Sequence, residues 1–340
     1  MKKNLFFKNL IIELVSNIYA YLINLNLYFI NNGKKKYFYN HSLGFGDSFT
    51  YYLKNYQKIL KKNNVTLSFG SLTLKSSEFF FSKEKNKKIF FFVPNILYYQ
   101  ITRKLLKLKN FKPLIFGNFS SEYQFLNSNK YKKIIIKSLI KHKISNEVSN
   151  LTKYPYFCLF IKHYNTNKND LSGSSSRQTS ELKPIKQIIT YLKKKKINTV
   201  ILGTSSDLSV KKLKIFVEKN KLYKNISFLI DISPNYSIKD QVYLALKSKG
   251  YIGSSSGPAS IFYFLRKKLL IINSTTGKKL PLCKNKANEK KFIKYLHKYT
   301  YLKKKLILDI DQTAAITEKI HEVSYRDIKK EINSFMLSKQ

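Results

Sequence analysis

Apolar runs alternate with polar, helix-spaced stretches in the second half of the chain, and this alternation predicts a parallel α/β domain. Strands are predicted at 156–161, 199–202, 226–230, 250–252 and 269–272, with helices at 182–192, 210–218, 238–247 and 258–264. Neighbouring parallel strands need a crossover helix to return the chain to the same end of the sheet. Such sheets bind ligands at the carboxyl ends of their strands, so the loops that follow the strands are the expected sites of chemistry.

The first half shows the same alternation, beginning with a strand at 37–39, a glycine turn and a helix at 49–60. Further strands are predicted at 89–93 and 113–117, and helices at 95–108 and 122–125. Strand, glycine turn and helix in this order open a mononucleotide-type unit. A lysine-rich helical stretch at 130–150 connects the halves. We therefore expect two Rossmann-like domains with parallel sheets, over residues 36–150 and 151–340, the second ending in helices.

An amphipathic helix is predicted ahead of these domains, within residues 1–35. The uncharged run 14–33 just reaches the ~20 residues that a membrane-spanning helix needs. It is interrupted by Asn17, Asn24, Asn26, Asn31 and Asn32. No small-residue cleavage site of a signal peptide follows the lysines at its start. The pattern favours a helix that packs on the fold or lies on the face of a membrane.

The formal net charge of +45 ordinarily indicates nucleic acid or an anionic membrane as a partner. Lysine supplies nearly all of it, since the arginines are limited to Arg103, Arg177, Arg266 and Arg326. Arginine is the preferred residue for bidentate contacts to guanine and phosphate, so we expect no nucleic-acid partner. The lysines are instead expected on solvated surfaces, where they can assist binding to anionic lipid or to a pyrophosphate.

Cysteine usage points to a reducing compartment. With only Cys158 and Cys283, neither a disulfide framework nor a cysteine-rich metal site is indicated, which fits the cytoplasm. No cluster of histidine, cysteine and carboxylate residues with metal-site spacing lies near the predicted ligand loops, so we expect a site without a metal.

The loop 253–258, with the sequence Gly-Ser-Ser-Ser-Gly-Pro, is the most informative segment. Gly253 and Gly257 allow the backbone to approach a ligand closely. Hydroxyl donors are offered by Ser254, Ser255 and Ser256. Pro258 suits the first helical turn, where free amides and the helix dipole favour negative charge. A phosphate is the expected guest, and a plain turn with a serine N-cap is the alternative.

With this loop, the second half resembles a family of bacterial glycosyltransferases of GT-B type. In that family a strand is followed by Gly-Thr-Ser-Ser-Gly, which matches Gly253 to Gly257 with Ser254 in place of threonine. The resemblance covers about Tyr156 to Thr275. It implies two Rossmann-like lobes, with a nucleotide-sugar donor on the C-terminal lobe, an acceptor mainly on the N-terminal lobe and no required metal. The nucleotide-sugar is then a co-substrate, and no cofactor is expected.

The glycine turn of the first half carries a second resemblance. The sequence 43–47, Leu-Gly-Phe-Gly-Asp, ahead of a helix is similar to the turn of heptosyltransferase-like GT-B enzymes, whose aspartate faces the acceptor and serves as base. An inverting transfer needs a carboxylate or imidazole within hydrogen-bond reach of the acceptor hydroxyl. Asp47 is therefore the candidate base, and capping of the helix is its alternative role.

Other polar residues at predicted strand ends are candidate ligand contacts. His163 could act as a base or as a donor contact, and Arg177 could clamp a phosphate bidentately. Gly203 and Thr204 follow the next strand and could line the nucleotide cleft. Asp240 could orient a ribose or cap its helix. For His163 and Arg177 the alternative is a solvated loop side chain.

These features predict a glycosyltransferase, of hexosyl or related type, that moves a sugar from a nucleoside-diphosphate donor to a cell-surface glycan or glycolipid. We expect it in the cytoplasm, or at the inner face of the cell membrane with an anionic membrane surface as a further partner. The chain departs from the family at Lys162-His163, where arginine and aspartate are usual, and at Leu202, where a positive side chain is usual. A nucleotide- or glycan-binding protein of the same fold without activity therefore stays open.

Overall fold

A computed structural model describes residues 2–31, 36–40, 45–61, 64–82, 87–105, 107, 111–113, 129–163, 182–205, 207–233, 237–274, 291–297, 300–302, 305–307 and 321–338. The chain forms two compact units, Met1–Phe116 and Gly117–Gln340. Each unit is built around its own parallel sheet. The predicted fold class, α/β with two Rossmann-like units, is confirmed.

The first unit contains a four-stranded sheet. Its elements in chain order are α1 (Lys2–Asn31), β1 (Lys36–Asn40), α2 (Phe45–Ile59), β2 (Asn64–Ser68), α3 (Ser71–Phe81), β3 (Lys87–Phe90), α4 (Asn95–Leu105) and β4 (Phe111–Pro113). The strand order is β3-β2-β1-β4, and every pairing is parallel. Because the order reverses between β1 and β4, the carboxyl end of β1 is the ligand edge of this unit.

The apolar pattern did not predict β2 and α3, because part of the core here is polar. Thr66 and Ser68 of β2 are fully buried. The Thr66 and Ser77 hydroxyls lie 3.2 Å apart, and Ser68 Oγ lies 3.1 Å from Tyr52 OH. Buried hydroxyls that are paired in this way cost little, so a strand that contains them is stable inside the unit.

The second unit contains a six-stranded sheet. Its elements are α5 (Asn129–Ile140), α6 (Asn146–Asn150), β5 (Tyr156–Phe160), α7 (Lys183–Lys194), β6 (Asn198–Ile201), α8 (Leu208–Lys219), β7 (Ile226–Phe228), α9 (Leu229–Ile232), α10 (Ile238–Lys247), β8 (Gly250–Gly253), α11 (Gly257–Leu265), β9 (Lys268–Ser274), β10 (Ile293–His297), β11 (Thr300–Leu302), β12 (Lys305–Ile307) and α12 (Tyr325–Glu331), which continues into a π-helical turn, Ile332–Met336.

The sheet order is β10-β9-β8-β5-β6-β7, with β11 and β12 forming a separate antiparallel hairpin. All pairings in the six-stranded sheet are parallel. This is the order of a complete doubly wound Rossmann sheet, which reverses between its first and fourth strands, here β5 and β8. The predicted strands and helices between Tyr156 and Ile272 are all present, with bounds that differ by at most a few residues.

The predicted C-terminal helices are only part of what the structure shows after β9. Ile293–His297 instead forms β10, the sixth strand of the sheet. Ile293 is buried, whereas the four residues that follow it are partly or fully exposed. A half-covered edge strand lacks the continuous apolar run by which the central strands were predicted.

Helices α5 and α6, which lie between β4 and β5 along the chain, belong to the second unit. The sequence placed the domain boundary near Asn150, but the chain divides between Phe116 and Gly117. The ring of Tyr131 in α5 meets Phe264 of α11 edge-on, with centroids 5.6 Å apart. The apolar stripe of α5 is thus part of the second unit, although its many lysines make the segment resemble a solvated linker.

Candidate functional site

The loops after β5 and β8 define a candidate ligand site on the second unit. These strands are paired, with Phe160 opposite Gly253. From β5 the chain continues toward β6, and from β8 it continues toward β9, so the two loops diverge at this point of the sheet. Divergence of this kind opens the crevice in which doubly wound sheets bind their ligands.

The two loops are tied together by Ser254. Its N–H donates to the carbonyl oxygen of Phe160 (2.9 Å), and its Oγ accepts from the N–H of Lys162 (3.0 Å). The buried Tyr251 hydroxyl donates to the carbonyl oxygen of Ser254 (2.8 Å), as does Ser256 Oγ (3.2 Å). Ser254 is fully buried, so its hydroxyl holds the loop and does not face solvent. Ser255 is the exposed hydroxyl of the three predicted donors.

Gly253 is required by the pairing of β5 with β8. A Cβ at this position would lie 2.0 Å from the carbonyl oxygen of Phe160 and 2.8 Å from Tyr251 OH. Real Cβ atoms do not approach a backbone oxygen this closely, so any side chain would push the strands apart. The glycine was predicted to let the backbone approach a ligand, and the structure shows that it lets two strands approach each other.

The start of α11 has the features of an anion site. Ser256 is the N-cap residue, but its side chain makes no capping hydrogen bond. The first amides of a helix have no intrahelical partner, and together with the helix dipole they favour a negative group. Pro258 lies in the first turn, as predicted. Gly257 is partly exposed at the start of the helix, two residues after the exposed Ser255.

The loop after β6 is shaped by Asp207. Its Oδ2 accepts from the N–H of Thr204 (2.6 Å) and from Thr204 Oγ1 (3.0 Å). A Cβ at Gly203, whose φ is +121°, would lie 2.8 Å from Val210 Cγ2 and 2.9 Å from Asp207 Oδ2. Gly203 and Thr204 therefore build a tight turn beside the crevice, and the Thr204 side chain is directed to Asp207.

His163, just after β5, meets a lysine that the sequence had not singled out. Lys212 Nζ lies 2.9 Å from His163 Nε2. Since an ammonium group only donates, Nε2 is the acceptor and the imidazole proton is assigned to Nδ1. The pair brings a positive charge from α8 to the end of β5.

Asp240 is buried at the start of α10 and 5% exposed. Its Oδ2 accepts from Ser233 Oγ (2.8 Å), and its N–H donates to Ser237 Oγ (3.3 Å). Ser237, not Asp240, is the N-cap of α10, so the alternative role proposed for Asp240 is corrected. Within the described part of the chain, Asp240 Oδ1 and both amide atoms of Gln241 are buried without a hydrogen-bond partner.

Cys158, inside β5 below the crevice, is not a nucleophile of this site. Its side chain is fully buried. Burial raises the pKa of the thiol, so it stays protonated at neutral pH.

Two further predicted site residues are Asp47 and Arg177. Asp47 is the third residue of α2, inside the first turn, so it is not the N-cap residue that the sequence suggested. Its backbone is positioned by α2, where Phe49 packs on Phe80 with centroids 5.0 Å apart. Arg177 lies outside the described residues.

Sequence reasoning missed Tyr251, Asp207 and Lys212. Tyr251 lies within a predicted strand, where an aromatic residue is ordinarily core. Asp207 could have been found from its place before a helix, three residues after Thr204, which is a common spacing for turns closed by aspartate. Lys212 carries no distinguishing signal among so many lysines. Among the described residues, no group of three or more histidine, cysteine or carboxylate side chains could hold a metal ion.

The fold of the chain is that of GT-B proteins, with two Rossmann-like units. It matches the structure of E. coli ADP-heptose LPS heptosyltransferase II with a TM-score of 0.51 and 9% identity, over 89% of this chain and 98% of that chain. A glycosyltransferase of family 9 from Veillonella parvula gives a TM-score of 0.48 and 9% identity, over 89% and 97% of the two chains. An E. coli heptosyltransferase with ADP gives 0.44 and 8%, over 88% and 97%. No protein family model and no curated protein matches the chain.

Proposed function

We propose that this protein is a glycosyltransferase that moves a sugar from a nucleoside-diphosphate donor to a hydroxyl of a cell-surface glycan or glycolipid. The observation that carries the proposal is the start of α11 at the point where the sheet order of the second unit reverses. A hydrogen-bonded loop, an exposed Ser255 and a helix N-terminus meet there. The likeness in fold to a heptosyltransferase supports the same conclusion.

The donor diphosphate is assigned to the amides at Ser255 to Gly257. Backbone amides fixed in place by the Tyr251 and Ser254 hydrogen bonds can receive negative charge without reorganisation, which is the efficient form of electrostatic stabilisation. Lys212, brought to the end of β5 by His163, adds a positive charge on the other side of the crevice. Arg177 is a further candidate clamp for a phosphate. This set of groups stabilises the leaving diphosphate without a metal.

Asp47 is proposed as the base that takes the acceptor proton. His163 is the less suitable candidate, since its Nε2 already accepts from Lys212 and would have to leave that lysine to act as a base. We assign His163 to the donor side, where it positions Lys212. Gly203 and Thr204 form the neighbouring wall, with Thr204 held by Asp207.

We place the reaction in the cytoplasm, at the inner face of the cell membrane, because nucleotide-sugars are cytoplasmic substrates and a lipid-linked acceptor would be presented there. A binding protein of the same fold without activity is the second candidate. The engagement of His163 with Lys212, where the resembling family has arginine and aspartate, favours that alternative.

Nucleotide binding tests the donor site. The wild-type protein should be stabilised against thermal unfolding by at least one of UDP, ADP and GDP, because a ligand that binds only the native state raises its stability. Ser255→Asp places a carboxylate where the phosphates are assigned, and it should abolish the shift while leaving the unliganded melting temperature nearly unchanged.

The matched control is Lys249→Gln. It lowers the net charge by the same amount, and it lies just before β8, at the opposite end of the strand. It should keep the nucleotide shift. Equal loss in both variants would mean that overall charge, not the loop, binds the nucleotide. Sugar transfer from a pool of nucleotide-sugars to lipid extracts then separates an enzyme from a binding protein.

A further inference from the structure

Helix α1 has two apolar faces. One is a narrow stripe in which Ser16, Ala20, Ile23 and Leu27 are buried against the first unit. Ala20, Ile23 and Leu27 belong to the same apolar cluster as residues of β1, β2 and α4. Such a stripe is what a surface helix needs to pack on its own domain.

The opposite face of α1 is also apolar, and it is exposed. Its central line is formed by Phe7, Leu14, Ile18, Leu25 and Phe29, which are 37–73% exposed. They are spaced by seven or four residues, so they lie on one side of the helix, about half a turn away from the buried stripe. A helix on the surface of a soluble protein would carry charged and polar residues here. A contiguous exposed apolar face marks an interaction site.

Several polar residues of α1, among them Glu13, Asn17, Asn24 and Asn26, lie in the seams between the two faces. Lys104 of α4 reaches one seam, where its Nζ donates to Asn17 Oδ1 and lies 3.8 Å from Glu13. Asn24 lies on the same side of the helix and Asn26 on the other. These seams place polar groups at the edges of the exposed apolar face, where the headgroups of a bilayer would meet a helix lying in the interface.

By length and composition alone, the 21 residues Asn9–Phe29 could also cross a membrane, since 18 consecutive residues among them have a mean hydropathy of 1.4. The buried stripe argues for the in-plane orientation. The Tyr19 hydroxyl donates to the carbonyl oxygen of Phe92, and Lys104 holds Asn17. A spanning helix would have to give up these contacts and the packing on α4.

We propose that α1 lies in the plane of an anionic lipid bilayer, with its exposed apolar face inserted and its buried stripe holding the first unit at the surface. The net charge of the protein favours a membrane over a second copy of the chain as the partner of this face. Two chains with a formal charge of +45 repel each other, whereas an anionic surface attracts them. Lys2, Lys3 and Lys8 in the first turns of the helix add to that attraction. The inference does not depend on glycosyl transfer.

Vesicle flotation of the full chain tests the proposal. The wild-type protein should float with vesicles of phosphatidylglycerol and phosphatidylethanolamine, and far less with phosphatidylcholine alone. Leu14→Asp/Leu25→Asp removes two inserted side chains, and it should weaken binding to anionic vesicles by about 100-fold or more, given the free energy of burying each side chain.

The control is Ile215→Asp/Tyr223→Asp, which changes two exposed apolar residues of the second unit, 64% and 55% exposed. It adds the same charge and should float like the wild type. Equal flotation of the α1 variant would show that lysines alone bind the vesicles and would overturn the insertion. A wild-type dimer that the α1 variant converts to monomer in light scattering would overturn it in favour of a second copy. Alkaline carbonate should release the bound protein; retention would mean that α1 spans the bilayer.

Discussion

Gly253, Ser254 and Ser255 are consecutive in the loop after β8, yet their environments differ sharply. Gly253 faces the backbone of β5 with no room for a Cβ, Ser254 is fully buried and tied to Lys162, and Ser255 faces solvent. Residue type alone identified the loop as a candidate anion site. It did not distinguish the exposed residue from those that hold the loop, because that depends on what β5 presents to each of them.

Asp47 is the residue whose role a single substitution decides. Asp47→Asn keeps the size of the side chain and removes its basicity. General-base catalysis typically contributes ~10²- to 10⁴-fold, so the rate of sugar transfer should fall by that factor while nucleotide affinity stays unchanged. Loss of a negative charge from the first turn of α2 should cost no more than about 1 kcal/mol of stability.

Glu147→Gln is a suitable control for this experiment, since Glu147 is an acidic residue in the first turn of another helix, α6. It should leave transfer unchanged. Full activity in Asp47→Asn would withdraw the catalytic role from Asp47 and return His163 to consideration.

The central strands and helices of the second unit could be predicted, because each is a continuous apolar run or a regular helical stripe. Strand β10 and the π-helical turn after α12 could not. A buried lysine of β9 contacts this π-helical turn. Lys268 Nζ donates to the carbonyl oxygens of Phe335 and Ser338, both at 2.7 Å, and lies over the Phe335 ring. Burial lowers the pKa of Lys268, because removing the ammonium group from water disfavours its charged form.

Lys268→Met should loosen this C-terminal segment. The methionine keeps most of the apolar stem but leaves two carbonyl groups without their donor, which costs about 1–3 kcal/mol. Hydrogen exchange should increase in α12 and the π-helical turn before it increases in β8 or β9. Lys247→Met, on an exposed residue of α10, should change neither the melting temperature nor the exchange. Unchanged protection of the C-terminal segment in Lys268→Met would show that apolar packing alone holds it.

The protein has a GT-B fold at 9% identity to the structure that it matches. A shared fold at such low identity is expected, because a doubly wound sheet is specified by the alternation of strands and helices and by burial, which many sequences satisfy. The excess of lysine is compatible with this fold, because lysine can occupy exposed positions while its stem covers apolar surface.

The diphosphate-binding arrangement proposed here predicts transfer that does not require a metal. Activity should persist in an excess of EDTA and should not rise when Mg²⁺ or Mn²⁺ is added. Complete loss on chelation, restored by Mn²⁺, would contradict the assignment of the leaving diphosphate to amides and lysine. Asp309 and Asp311 form an Asp-x-Asp pair outside the described residues. They would then be the first residues to mutate as candidate ligands of the metal.

The sequence by itself determined the two parallel α/β units and the central strands of the second unit, and it indicated the strand ends at which a ligand site is expected. These follow from local periodicity, since apolar runs form buried strands and helical stripes form crossovers whatever their neighbours are. Only the tertiary structure decided which loops meet. Lys162 and Ser254 are 92 residues apart and become hydrogen-bonded because β5 pairs with β8. It likewise decided which apolar face of α1 is buried, because packing on the first unit can cover one side of a helix and leaves the other to a partner.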